Sequence, residues 1–150
     1  MKIREILSIV IINLLVFFAL MSIHEISHVA AGMLLGCKNQ IAVLLDSNLI
    51  GPYTESYCTG NSTIIYVVGL MVTSSFSLLF LFLNSSTKRL FFTSMGLSVL
   101  FSSIDFSIVT NIQYLFYLMT SVGFLMIMIG EYSLANSYVR GDFIDFLDIS

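Results

Sequence analysis

Four long apolar runs dominate this sequence and exclude an ordinary soluble fold. They cover residues 6–36, 62–83, 90–110 and 112–130. Each is near or above the roughly 20 residues that a helix needs to cross a bilayer. The rest of the composition agrees. The chain has 150 residues, of which 57% are hydrophobic and 10% charged, and its mean hydropathy is +0.97. Soluble domains of this size are far more polar. The expected fold is an all-α integral membrane protein, one membrane-embedded domain over residues 1–150 with about four transmembrane helices.

The first run begins like a signal peptide, with Lys2 and Arg4 ahead of an apolar body. It continues to Gly36 without a small-residue cleavage site before His24, so it reads as a retained span. Asn-Ser-Ser-Thr-Lys-Arg, residues 84–89, separates the second and third runs cleanly. Only a few polar residues around Asn111 separate the third from the fourth.

Residues 37–61 are different in kind. A short β-leaning stretch, Gln40–Leu45, is followed by turn residues and the alternating Tyr53–Cys58. This predicts a small β-hairpin or loop at the membrane surface. Cys37 and Cys58 flank it, and a disulfide and two free thiols are both open. Asn61-Ser-Thr matches a glycosylation acceptor but lies against a span. In the tail, residues 141–150, Asp142, Asp145 and Asp148 recur every three residues, opposite Phe143, Phe146 and Leu147. That pattern predicts a short amphipathic helix lying on the membrane.

Charge suggests an orientation. With four spans, Lys2, Arg4, Lys88, Arg89 and Arg140 fall on one side, and Lys38 alone on the other. The positive-inside rule then places both termini in the cytoplasm, in a multi-pass protein of the cell membrane. The net charge is −3 and no basic cluster exists, so the bilayer is an expected partner and nucleic acid is not.

Both histidines of the chain stand inside the first run, in His24-Glu25-Ile26-Ser27-His28. One helical turn apart, the two imidazoles share a face and reach one ion. Glu25 is offset by one position and is suited to holding a metal-bound water. This is the HExxH arrangement of two zinc ligands and a general base. Ionisable groups inside a membrane are costly and mark function. His24, His28, Gly32 and Gly36 continue one stripe, whose small residues admit a second helix closely.

A catalytic zinc ordinarily has three protein ligands. Asp105 is the leading third, because it is the one charged residue between Arg89 and Glu131 and has Ser102, Ser103, Ser107 and Thr110 around it. Depth agrees: His24 lies about 30 Å along a helix from Arg4, and Asp105 about 24 Å from Arg89. Asp46 and Glu55 in the loop are rivals, as is Glu131, which is read as interfacial.

His24–Gly36 resembles the site-2 protease family of intramembrane zinc metalloproteases, in which HExxH is followed by small residues, here Ala30 and Ala31, and a glycine. The resemblance covers residues 15–111. It implies a three-helix core with HExxH on the first helix, one zinc ion per chain held by His24, His28 and Asp105, and Glu25 as catalytic base. It also implies that residues 66–82 form the middle core helix and residues 40–58 a membrane-associated sheet that takes substrate as an added strand. The family's aspartate sits in a proline-containing segment ending in Asp-Gly, whereas this one reads Ser-Ser-Ile-Asp-Phe-Ser. Family members place zinc toward the cytosol, opposite to the side the charge count gives.

The expected activity is zinc-dependent hydrolysis of a peptide bond within or beside a transmembrane segment of a membrane protein or signal peptide. Ser22 and Asn111 are further candidates, for the oxyanion or the substrate strand. Two other classes stay open: a non-catalytic zinc-binding protein acting as a binding, assembly or immunity factor, and an ion transporter.

Overall fold

The computed structural model describes residues 3–46, 49–58, 63–82 and 87–140. Helix α1 (Ile3–Leu34) leads into an antiparallel hairpin of β1 (Lys38–Asp46) and β2 (Leu49–Tyr57). Helix α2 (Thr63–Phe82) follows. A short 3₁₀ turn, Thr87–Arg89, then opens α3 (Leu90–Thr110), and α4 (Gln113–Arg140) ends the described chain. Among the described residues, four stretches are long and apolar enough to cross a membrane: Ile6–Leu34, Thr63–Phe82, Leu90–Ser107 and Gln113–Ser137. The chain is an all-α, multi-pass membrane protein with one surface hairpin.

The distribution of side chains is the inverse of a soluble core. The outside of α1 is Ile6, Leu7, Val10, Leu14 and Phe18, all exposed. The interior is small and polar. Thr73, Ser77, Ser94, Ser98 and Ser102 are completely buried, while large buried apolar residues are few among the described residues. In lipid there is no hydrophobic drive between helices, so close approach of small residues holds them together. Their hydroxyls bond within the helices: Thr73 Oγ1 to the Gly69 carbonyl at 2.8 Å, Ser77 Oγ to the Thr73 carbonyl at 2.9 Å and Ser98 Oγ to the Ser94 carbonyl at 2.9 Å. Ser77 and Ser98 meet across the α2–α3 seam at 3.3 Å. Between α3 and α4 a Cβ on Gly96 would stand 2.6 Å from the Gly123 carbonyl oxygen, so only glycine fits.

The fourth helix differs from its sequence expectation. It does not stop near residue 130 but runs to Arg140. Glu131, read as interfacial, lies between three helices instead. Asn13 Nδ2 donates to its Oε2 at 2.7 Å and Thr93 Oγ1 to its Oε1 at 3.1 Å. With both oxygens engaged, the carboxylate does not end the helix. Glu131→Leu removes the acceptor for both donors and is expected to cost about 1–3 kcal/mol. Thermal unfolding in detergent checks it, with Glu131→Gln losing less and metal content unchanged in both.

Asn111 separates α3 from α4. Its φ of 54° is left-handed, which Asn tolerates better than most residues. Its backbone makes the turn, its side chain is exposed, and no substrate is needed to account for an asparagine there. Asn111→Gly is expected to leave stability unchanged, whereas Asn111→Val costs about 1–2 kcal/mol; the same unfolding measurement separates them.

The hairpin pairs Lys38 with Tyr57 through to Asp46 with Leu49. A disulfide joins Cys37 to Cys58 at its base, which resolves the two open thiol states in favour of pairing. The bond ties the end of α1 to the approach to α2. Residues 47–48, the acceptor match at Asn61 and the acidic tail 141–150 lie outside the described residues.

Candidate metal centre

His24 and His28 project from one side of α1, and Asp105 reaches them from α3. His24 Nε2 stands 2.9 Å from Asp105 Oδ2, His28 Nε2 stands 3.3 Å from the same oxygen, and the two Nε2 atoms are 3.0 Å apart. Both histidines are buried and Asp105 is nearly so. Among the described residues these three form a group able to hold a metal ion.

Hydrogen bonding argues that the group wants a cation. His28 Nδ1 donates to the Ile65 carbonyl at 2.7 Å. A neutral imidazole that donates from Nδ1 carries a lone pair on Nε2. That lone pair faces the Asp105 carboxylate and His24 Nε2 together. A single proton on His24 Nε2 serves one of those two acceptors and leaves the other opposed. A metal ion satisfies all three atoms. Ligands about 2.0–2.1 Å from a tetrahedral ion stand about 3.3–3.4 Å from one another, close to the 2.9–3.3 Å found here.

The support around the ligands comes from α2. A Cβ on Gly69 would lie 2.6 Å from His24 Cε1, and 2.8 Å from both His24 Nδ1 and His28 Cε1. The two rings therefore rest against bare backbone. The Ile65 carbonyl orients His28, the kind of outer contact that fixes a ligating imidazole. His24 Nδ1 is buried without a hydrogen bond in the described chain, and its ring lies against Phe101 at 5.9 Å between centroids. Gly69 and Ile65 escaped the sequence reading. The signal for Gly69 was present, since a lone glycine inside the apolar run Tyr66–Met71 marks a close approach. A carbonyl acceptor leaves no sequence signal.

The other sequence candidates lie elsewhere. Glu25 is half-buried, one position on from His24 and so about 100° around α1. Ser22 Oγ bonds back to the Phe18 carbonyl at 2.8 Å on an exposed face. Glu131 is held by Asn13, eleven positions before His24 and so about 16 Å away along α1. Asp46 closes β1, and Glu55 sits in β2 opposite Gln40.

No protein-family model, curated protein or solved structure matches the chain.

Proposed function

We propose that this chain is a zinc-dependent intramembrane endopeptidase of the site-2 type, cutting a peptide bond within or beside a transmembrane segment. The observation that carries the reading is the convergence of His24, His28 and Asp105 inside a membrane helix bundle, with Glu25 next to His24 in HExxH order. His24, His28 and Asp105 would hold the ion with the three protein ligands usual for a catalytic site. The donor set of two imidazoles and one carboxylate suits zinc.

Zinc held by His24, His28 and Asp105 would supply Lewis-acid polarisation of the scissile carbonyl and would lower the pKa of a bound water toward neutrality. The protein's residues do the rest. Glu25 accepts a proton from the attacking water and hands it to the departing amine. One C–O bond forms, one C–N bond breaks, and one water is consumed. Ile65 and Gly69 hold the histidine rings still. Substrate approaches on the Glu25 side of α1. The apolar groove lined by Ile23, Ser27, Ala30, Leu34 and Val68 is on the side of that helix away from Glu25 by its periodicity.

Both termini are proposed to be cytoplasmic, in the cell membrane. Support comes from Lys88 and Arg89 at one end of the bundle and the Cys37–Cys58 disulfide at the other, because structural disulfides belong to oxidising compartments.

Metal removal tests the reading. A single-span membrane reporter tagged at both ends is expected to be cut by the purified chain in proteoliposomes. Stripping the metal with a chelator should abolish the cut, and zinc should restore it. An intact reporter with a fully zinc-loaded chain would instead favour the non-catalytic binding protein, and zinc flux across the vesicles would favour the transporter.

A further inference from the structure

The metal centre lies off the middle of the bundle, and the two ends of the bundle are unlike. His24 and His28 are twelve and eight positions before Gly36 and Asp105 is six before Asn111, which places the centre about 9–18 Å from the hairpin end. Measured the other way, His24 is 21 positions beyond Ile3 and Asp105 16 beyond Arg89, about 24–31 Å. A hydrocarbon core is about 30 Å thick. The ligands thus sit nearer the hairpin end of the bundle than the Lys88–Arg89 end.

The packing is closed on the far side of the centre. Between the centre and the Lys88–Arg89 end, the α2–α3 seam is closed by Thr73, Ser77, Ser94 and Ser98, none of which has accessible surface. Further along, Asn13 of α1 and Thr93 of α3 both donate to Glu131 of α4. Hydrolysis consumes a water per bond, and the short way in is from the hairpin. The hairpin base carries a formed disulfide, which marks that face as non-cytoplasmic, while the cationic turn Lys88–Arg89 marks the far face as cytoplasmic.

We infer that the centre draws both water and substrate from the non-cytoplasmic face. Its substrates are then membrane-anchored proteins or peptides whose scissile bond lies in the outer half of their span, and the outer product leaves on that side. This rests on the peptidase reading and adds the side and the region of the cut. It is the opposite of the side that the family resemblance implies.

Two measurements in one strain test it. Cells expressing the full chain are treated with a membrane-impermeant phosphine and then an impermeant maleimide, which reads the side of Cys37 and Cys58 without any need for activity. The same cells carry a single-span reporter with a Pro-Gly helix break in either the outer or the inner third of its span. The expected result is equal labelling in intact and lysed cells, and cutting of the outer-third reporter about 100-fold faster than the inner-third one. Labelling only after lysis overturns the inference whatever the activity. Outer labelling with preferential inner-third cutting overturns it too. If a zinc-loaded chain cuts neither reporter, the peptidase reading fails and this inference falls with it, while the labelling still reports the side.

Discussion

Glu25→Gln is expected to abolish cleavage while leaving the metal in place. The substitution keeps the size, the half-buried position and the hydrogen-bonding reach of the side chain, and removes its basicity. General acid–base catalysis contributes about 10²–10⁴-fold, so turnover of a tagged single-span reporter should fall by at least about 100-fold. Metal content should not change, because the ligand atoms belong to His24, His28 and Asp105. The two readouts separate the roles. Cleavage lost with zinc retained identifies a base; zinc lost together with cleavage identifies a structural or ligating residue. Retained cleavage in this variant would end the proposed mechanism.

Gly69→Ala should have a comparably large effect by another route. Alanine favours a helix over glycine by about 1 kcal/mol, so α2 itself should be no weaker. The new methyl, however, falls 2.6–2.8 Å from atoms of both histidine rings, closer than unbonded carbons approach. The rings must move, and Nε2 of each moves with them. Disturbing the support of ligating histidines costs about 10–100-fold in metal affinity. Competition with a zinc chelator on the purified chain measures it, with helix content by circular dichroism as the check on folding. Met71→Ala, on the exposed face of the same helix, should leave affinity unchanged. Unchanged affinity in Gly69→Ala would mean that the rings do not rest on α2 as described.

The two effects are legible to different degrees in the sequence. The meeting of His24, His28 and Asp105 can be read from it, since one-turn spacing puts two imidazoles on one face and a lone aspartate at matching depth has little else to approach. The four helices are legible for a simpler reason: apolar runs of that length have few other fates. What the sequence hides is set by tertiary hydrogen bonding. Glu131 looks like the end of a helix until Asn13 and Thr93 are beside it. The backbone carbonyl of Ile65 carries no side-chain identity at all. The serines and threonines of α2 and α3 look like a dilution of two spans, and in the fold they are the packed interior. The Cys37–Cys58 pairing becomes decidable only once β1 and β2 align Lys38 with Tyr57, bringing the flanking cysteines together.

The proposed function requires α1 and α3 together to hold one metal ion. The deciding measurement is zinc per purified chain, in detergent, for the wild type and for Asp105→Ala after equilibration with a buffered zinc solution. About one zinc in the wild type and a sharply lower content in the variant is the expected result, because two imidazoles alone fall short of the three protein ligands of such sites. No zinc in the wild type would leave His24, His28 and Asp105 as a buried hydrogen-bonded cluster. Equal zinc in both chains would remove Asp105 from the ligand set and contradict the site as built here.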